Sequence, residues 1–222
     1  MRPSKYLIKL QKTAINKVHR LKRLLSNIST SSSNNEIEIC LTYVTIETLN
    51  TWSNFSRSFY LSCTLHPKTV NGNRVTTRLE IGNFNEAISE AIRLCSNRRN
   101  ATPNPQGLWH RRDEPTWHDK STITRVCTNI ECSNIANISE GLSGQQTFFA
   151  HLPVFRNFYG HRNQQTEQAA MQLAPRYGIP ATLRPSDILR QFPISGTSTP
   201  STSILLVQWL DEIEITIEYL CY

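Results

Sequence analysis

The feature that most constrains the fold is a stripe of apolar side chains near the N-terminus, spaced three and four residues apart. Such spacing places these side chains on one face of an α-helix and leaves the lysines and arginines of the segment on the other faces. The stripe runs through residues 5–28 and consists of Leu7, Leu10, Ala14, Val18, Leu21, Leu25 and Ile28. It predicts an amphipathic helix that packs against a protein core.

The same spacing recurs along most of the chain. It runs through residues 36–65, 84–95, 116–139 and 206–220, and a run of about thirty residues is too long for a strand. Only 8 glycines occur among 222 residues, which disfavours a turn-rich all-β protein. We therefore predict an all-α fold, an up-and-down helical bundle of about four to six helices, in one domain spanning residues 1–222. Alternating isoleucines near residue 215 leave a terminal strand as an alternative there.

Local signals divide the bundle into segments. Asn71-Gly72 between β-prone residues predicts a small β-hairpin insertion around 66–82. Asn83 and Ser186 are candidate N-caps of short helices, and Pro153 predicts a helix start near that position because proline fits the first turn. Polar residues at 29–35 and 195–203 predict linkers.

Charge is distributed unevenly along a chain whose formal net charge is +7. Residues 1–23 carry eight Lys/Arg and no acid, whereas the segment after Arg190 carries no Lys/Arg and four acids. One interpretation is that the two terminal segments lie side by side and partly neutralise each other. The alternative is that the basic end docks on a nucleic acid or a membrane.

The six cysteines are scattered at positions 40, 63, 95, 127, 132 and 221 and form no Cys-x-x-Cys pair. Several lie on apolar faces, and the chain shows neither a secretion signal nor an apolar run of about 20 residues. We therefore predict reduced core thiols in a cytoplasmic protein without a membrane span. Cys127, Cys132 and His118 have a poor spacing for metal ligands, and no metal or other cofactor is predicted.

Residues 155–163 (Phe-Arg-Asn-Phe-Tyr-Gly-His-Arg-Asn) carry the strongest chemical signal. Arginine binds a phosphate through two parallel charge-assisted hydrogen bonds, and histidine transfers protons near neutral pH. Arg156 and His161 are thus the minimum set for cutting RNA without a metal. Gly160, directly before His161, leaves room for a ligand or backbone to approach.

A competing arginine and histidine set occurs earlier in the chain. Arg111 and Arg112 lie within the same range of His118, and Asp113 stands beside Arg112 as Asn157 stands beside Arg156. This set falls in a proline-bearing stretch that we expect to be a loop, whereas rigid elements hold catalytic geometry better. We therefore favour the later set.

The Arg156-Asn157-Phe158-Tyr159-Gly160-His161 segment resembles the motif of the HEPN superfamily, the helical bundles of prokaryotic toxins, phage-defence systems and some CRISPR effectors. Its ribonuclease members carry an arginine, a polar residue and a histidine, with four to six residues between the arginine and the histidine. The specific resemblance covers residues 155–163, and the long second helix with its aromatic stripe agrees with the same architecture.

The resemblance implies a metal-independent endoribonuclease that acts on RNA as a homodimer, with two copies of the motif facing each other. The 2′-hydroxyl would attack the adjacent phosphate and leave a 2′,3′-cyclic phosphate. His161 would move the proton, Arg156 would neutralise phosphoryl charge, and Asn157 would orient His161 or the phosphate. Candidate RNA-binding residues are Arg162, Tyr159, Arg111 and Arg112, although Tyr159 is also a candidate for core packing.

Such proteins act as toxins or defence effectors, which implies an antitoxin or another defence-system partner. The alternative function is a non-catalytic HEPN-like subunit that binds RNA or serves as a scaffold. A third interpretation is a docking protein that uses its basic segment 1–23.

Overall fold

Helices account for most of the described chain. The computed structural model describes residues 1–28, 33–144, 146–194 and 201–222. Within these ranges there are nine α-helices: α1 (Leu7–Ser26), α2 (Asn34–Cys63), α3 (Phe84–Cys95), α4 (Lys120–Asn129), α5 (Ile135–Ser143), α6 (Phe148–His161), α7 (Gln164–Met171), α8 (Pro185–Leu189) and α9 (Leu205–Cys221). The predicted all-α class is confirmed. Most of the predicted linkers 29–35 and 195–203 lies outside the described residues.

The 30-residue helix α2 is rich in threonine and serine, which lower helix propensity because their hydroxyls compete for backbone partners. Several of these hydroxyls, including the two named next, bond within the helix itself. Thr48 Oγ1 donates to the Val44 carbonyl at 2.6 Å, and Ser56 Oγ donates to the Trp52 carbonyl at 2.9 Å. Because each hydroxyl finds a partner one turn back, these residues are buried without an unsatisfied donor.

The chain divides into two compact units, and α1, α2 and α9 each contribute residues to both. Unit 1 comprises Met1–Asn16, Thr51–Gln145 and Ile215–Tyr222. Its core contains an aromatic row along α2, in which Phe55 stacks with Trp52 at 5.7 Å and with Phe59 at 5.9 Å between ring centroids. Apolar residues of α3 and α4 complete this core: Ala87, Ile88, Ala91, Ile92, Ile123 and Val126.

Unit 2 comprises Lys17–Asn50 and Gln146–Glu214. Its core is built on fully buried side chains of α6 and α9, where Phe155 meets Trp209 edge to face at 5.4 Å. Aliphatic residues from α1, α2 and α9 belong to the same core: Val18, Leu21, Leu41, Val44, Leu206, Leu210 and Ile213. The two units do not test the predicted single domain, which stays a prediction.

The predicted neutralisation of the basic N-terminal segment by the acidic C-terminal segment is confirmed within unit 2. Lys22 Nζ lies 2.6 Å from Asp211 Oδ1 and 2.5 Å from Glu214 Oε2, and His19 Nε2 lies 2.6 Å from Glu214 Oε1. These pairs occupy part of the basic face of α1, which leaves less of it for docking on an anionic surface.

Residues 66–82 contain a tight turn and no regular strand. Gly72 has φ +86°, a conformation that favours glycine, and its N–H donates to the Thr69 carbonyl at 3.1 Å. Lys68 forms isolated β-bridges with Arg74 and with Tyr6. The turn at Asn71-Gly72 is therefore confirmed. In place of the predicted hairpin, the segment has isolated β-bridges.

Other boundaries follow local caps. The Asn83 side chain accepts the Glu86 N–H as predicted, whereas α8 begins at Pro185, one residue before the predicted cap Ser186. The periodic segment 116–139 forms two helices, because Glu131 adopts a left-handed φ of 54° between them. The isoleucines near residue 215 are helical in α9 rather than extended. In the described ranges, no helix combines the length and apolarity that crossing a membrane requires.

Candidate active site

Helix α6 carries the Arg156/His161 motif and begins at Phe148, five residues before the predicted start at Pro153. The Glu212 carboxylate stabilises this earlier start. It accepts the Phe148 N–H at 2.9 Å and the Thr147 hydroxyl at 3.1 Å. A carboxylate satisfies free N–H groups at a helix N-terminus and complements the helix dipole. The predicted start was wrong because this cap comes from a residue 64 positions later in the chain.

The other end of α6 is held against the first half of α2. Arg162 caps the helix in a left-handed conformation with φ 45°, and its N–H donates to the Phe158 carbonyl. Its guanidinium donates to Thr42 Oγ1 at 3.0 Å, lies 3.8 Å from Glu38 Oε1 and lies over the Tyr159 ring. The last turn of α6, which bears His161, is therefore positioned by contacts between Arg162 and α2.

The predicted catalytic residues lie in the last two turns of α6. Asn157 and His161 are exposed, and Arg156 is half-buried. Arg156 Nη1 donates a long hydrogen bond to Asn157 Oδ1 at 3.4 Å. A Cβ added at Gly160 would lie 3.7 Å from the same Nη1. The Arg156 guanidinium thus lies along the final turn, beside the residue that precedes His161.

Arg156 and His161 do not share one face of the helix. Five residues correspond to a rotation of about 140° and a rise of about 7.5 Å. No hydrogen bond joins the two side chains, and Asn157 contacts Arg156 rather than His161. The structure therefore brings the three residues to one end of α6, but it does not join them into a hydrogen-bonded set within one chain.

Neither Arg156 nor His161 forms an ion pair with an acid within the described ranges. Glu167, which follows on α7, pairs with neither of them. A guanidinium without an acidic partner keeps its charge available for an anion such as a phosphate.

Tyr159 is placed differently from its predicted role at the RNA. Its side chain is buried, with 5% exposure, and contacts Phe158 and Arg162. Burial raises the pKa of the Tyr159 hydroxyl well above its usual value, and nearby Glu38 adds to the effect. A buried ring has no free face for a base, so the structure favours packing over stacking.

In the competing set of unit 1, both arginines lie close to acidic side chains. The Glu114 carboxylate binds Arg57 through two hydrogen bonds of 2.6 and 2.7 Å and lies 3.5 Å from Arg111 Nη1. Arg112 Nε lies 3.7 Å from Asp113 Oδ1. Arg111 and Arg112 are exposed but partly neutralised, which distinguishes them from Arg156.

Sequence reasoning missed a buried polar network in unit 2. His151 is only 9% exposed, and its Nδ1 lies 2.5 Å from the Tyr177 hydroxyl. Trp209 Nε1, which can only donate, lies 3.2 Å from the same hydroxyl. When the Tyr177 hydroxyl accepts from Trp209 and donates to His151 Nδ1, the imidazole carries its proton on Nε2. No sequence signal marks these partners, because they lie 26 and 32 residues apart.

This network predicts a loss of stability in mild acid. Burial, with a contribution from Arg176, lowers the pKa of His151 below its usual value. The unfolded chain therefore binds a proton first, and stability falls as the pH drops below about 6.5 towards the folded-state pKa. We expect the His151→Gln variant to lose less unfolding free energy than the wild type between about pH 7.5 and 5.5, measured by urea denaturation. An identical pH dependence of the two proteins would contradict this role.

Gly160 provides a further test of the geometry. It is exposed and helical, and the added Cβ of alanine meets only Arg156 at an ordinary contact distance. We expect Gly160→Ala to raise the unfolding free energy by about 0.5–1 kcal/mol, because alanine has the higher helix propensity. Ala150→Gly at the exposed start of the same helix is the matched control and should change it in the opposite direction. Thermal denaturation measures both, and destabilisation by Gly160→Ala would show that this turn is more crowded.

Comparisons with known proteins find no match to this chain among family models, curated proteins or solved structures.

Proposed function

We propose that this protein is a HEPN-type, metal-independent endoribonuclease that acts as a homodimer in the cytoplasm, in a toxin or antiviral defence system. The observation that carries the proposal is the exposure of the motif residues together with the lack of an acidic partner near them in the described ranges. Arg156, Asn157 and His161 are accessible on one helix end, and no acid among the residues that the structure describes pairs with Arg156 or His161. By contrast, the competing arginines in unit 1 are engaged by Glu114 and Asp113.

The proposed reaction is a transesterification. His161 removes the proton from the RNA 2′-hydroxyl, and the oxygen attacks the adjacent phosphorus. The bond from phosphorus to the 5′-oxygen breaks, and that oxygen takes up a proton. The products are a 2′,3′-cyclic phosphate and a 5′-hydroxyl. Proton transfer of this kind contributes about a hundred- to ten-thousandfold to the rate.

Arg156 stabilises the negative charge that grows on the non-bridging phosphoryl oxygens, and this is the role of a fixed donor in the transition state. The contact from Asn157 to Nη1 helps to orient the guanidinium. The helix cap at Arg162 positions the same turn, because its side chain is engaged by Thr42 and Glu38. In this proposal Arg162 positions α6 in addition to any contact with RNA.

The need for a dimer follows from the chemistry. The reaction needs a base at the 2′-oxygen and an acid at the 5′-oxygen, and each chain supplies one histidine in its motif. Within one chain, Arg156 and His161 also diverge by about 140° around the helix axis. A second copy of α6 would supply the second histidine and a second guanidinium.

Further cations near the motif belong to the same unit. Arg184 and Arg190 are exposed and line a surface depression with residues at the start of α2, including Glu38. Neither arginine forms an ion pair within the described ranges. Exposed guanidinium groups bind the RNA backbone through charge.

One observation favours the second candidate function, a non-catalytic RNA-binding or scaffold subunit. A single chain does not bring Arg156 and His161 into contact. In a protein that only binds RNA, the arginine and the histidine have no need to act together.

The two functions are separated by RNA cleavage in EDTA, with the product ends identified and the oligomeric state measured in parallel. Cleavage that gives cyclic phosphates and depends on His161 supports the ribonuclease. RNA binding by a dimer without cleavage supports the second candidate.

A further inference from the structure

We propose that unit 1 contains a structural zinc site formed by Cys63, Cys127 and Cys132, with His66 as the fourth ligand. The three cysteines come from the end of α2, from α4 and from the loop before α5. Their Sγ atoms all lie within 4.8 Å of one another, and the side chains are buried with 0%, 0% and 2% exposure.

The spacing of the sulfur atoms fits a tetrahedral ion. Zinc binds thiolates at about 2.3 Å, which places two sulfur ligands of a tetrahedral site about 3.8 Å apart. A small contraction of the cluster therefore suffices for binding. In sequence, Cys63 and His66 form a Cys-x2-His pair, and Cys127 and Cys132 form a Cys-x4-Cys pair. Two such ligand pairs, distant in sequence, are typical of structural zinc sites.

The backbone beside these ligands adopts costly conformations. Only three non-glycine residues in the described ranges have positive φ, and two of them are His66 with 48° and Glu131 with 54°. Glu131 forms the turn in which the Cys132 N–H donates to the Cys127 carbonyl at 3.0 Å. Such conformations cost about 1–3 kcal/mol each and cluster at functional sites.

Asn134 contacts Cys132 through its side chain. It is the N-cap residue of α5, yet its side chain does not cap the helix. Its Oδ1 accepts a hydrogen bond from the Cys132 thiol at 3.2 Å, and its Nδ2 is buried without a hydrogen-bond partner among the described residues. Exchange of the amide oxygen and nitrogen turns Nδ2 towards the sulfur, where it can donate to a thiolate. Hydrogen bonds of this kind support the ligands of metal sites.

His66 follows Cys63 by three residues and is half-buried. Its Nε2 accepts a long hydrogen bond from the Thr77 N–H at 3.4 Å. Rotation of the ring therefore breaks one weak bond when a nitrogen turns towards the ion. Three thiolates and one imidazole complete a Cys₃His set, in which the ion joins the end of α2 to the segment between α4 and α5.

The test is the metal content of the full chain, purified with a thiol reductant and without chelator. Elemental analysis should find about one Zn²⁺ per chain. After exchange with Co²⁺, the protein should show a thiolate-to-cobalt charge-transfer band and the visible bands of a tetrahedral site. Removal of the zinc by a strong chelator should lower the melting temperature by about 10 °C, and re-addition of Zn²⁺ should restore it.

Variants assign the ligands. Cys63→Ser, Cys127→Ser and Cys132→Ser should each reduce the zinc content to less than about a tenth, and His66→Ala should weaken binding at least about tenfold. Cys221→Ser is the matched control, because Cys221 is equally buried but lies outside the cluster. It should keep its zinc. Where a ligand variant does not fold, the cobalt spectrum and the zinc-dependent melting of the wild type still decide whether the chain binds zinc through thiolates.

Three results would overturn the proposal. The first is a folded, reduced wild type that takes up neither Zn²⁺ nor Co²⁺. The second is zinc retained by all three cysteine variants, which would mark an adventitious ion elsewhere. The third is a disulfide between two of the three cysteines in zinc-free native protein. These readouts do not depend on RNA cleavage, since Arg156 and His161 lie in unit 2.

Discussion

Alanine at His161 or at Arg156 is expected to lower the rate of RNA cleavage by at least about a hundredfold. His161→Ala removes the group that moves the proton, and Arg156→Ala removes the charge that stabilises the phosphoryl oxygens. The measurement is cleavage of a single-stranded RNA in EDTA, with detection of 2′,3′-cyclic phosphate ends. Loss in both variants, with the same ends in the residual product, would establish the site.

Matched variants separate chemistry from folding. His118→Ala and Arg93→Ala remove the same side-chain types in unit 1 and should cleave at the wild-type rate. His161 is exposed, so His161→Ala should change the unfolding free energy by no more than about 0.5 kcal/mol. It should also keep the mass that the wild type shows in light scattering. Cleavage that is unaffected by both motif substitutions would contradict the site assignment.

The EDTA in this assay can also remove the ion from the proposed zinc site. A chelator that removes a structural ion destabilises the protein, and any fraction that unfolds loses cleavage without any role for the metal in the reaction. Circular dichroism in the assay buffer separates the two effects. Loss of cleavage with retained helicity would instead indicate a metal in the reaction and contradict the metal-independent mechanism.

Replacing Glu114 by alanine is expected to lower the unfolding free energy by about 3 kcal/mol. Removing one partner of a buried ion pair leaves the charge of the other partner uncompensated. The Glu114 side chain is only 3% exposed, whereas that of Arg57 is 27% exposed. The carboxylate accepts two hydrogen bonds from Arg57 and one from Trp117 Nε1 at 2.7 Å. Without the carboxylate, all three donors lose their acceptor.

Thermal and urea denaturation measure this loss, and the melting temperature should fall by about 10 °C. Glu114→Gln keeps an acceptor of similar shape and should lose less. Glu140→Ala, at an exposed position of α5, is the control and should change the unfolding free energy by less than about 0.5 kcal/mol. A loss for Glu114→Ala that matches the control would show that the Arg57 pair does not stabilise the fold.

Much of the secondary structure was predictable because its causes are close together in sequence. The apolar stripe of residues 5–28 forms α1, and the long periodic run forms α2. Asn83 caps α3 through a residue three positions away. Caps, turns and periodic faces act over one or two helical turns, so a linear reading of the chain detects them.

The candidate site was predictable only as a set of residue types. The segment around Arg156 and His161 showed which side chains are present, but not whether an acid neutralises their charge. Arg111 and Arg156 look alike in sequence, yet Arg111 lies beside Glu114 whereas Arg156 has no acidic partner in the described ranges. Tyr159 likewise looks like a stacking residue, but it is buried.

The sequence by itself determined the helical class, the charge asymmetry of the two ends and the motif. The tertiary structure alone decided which residues meet: Glu212 at the start of α6, Tyr177 at His151, and Cys63 at Cys127 and Cys132. Periodicity specifies which face of a helix is buried, but not which partner covers it. That choice depends on packing between residues that are, in these three cases, 26 to 69 positions apart.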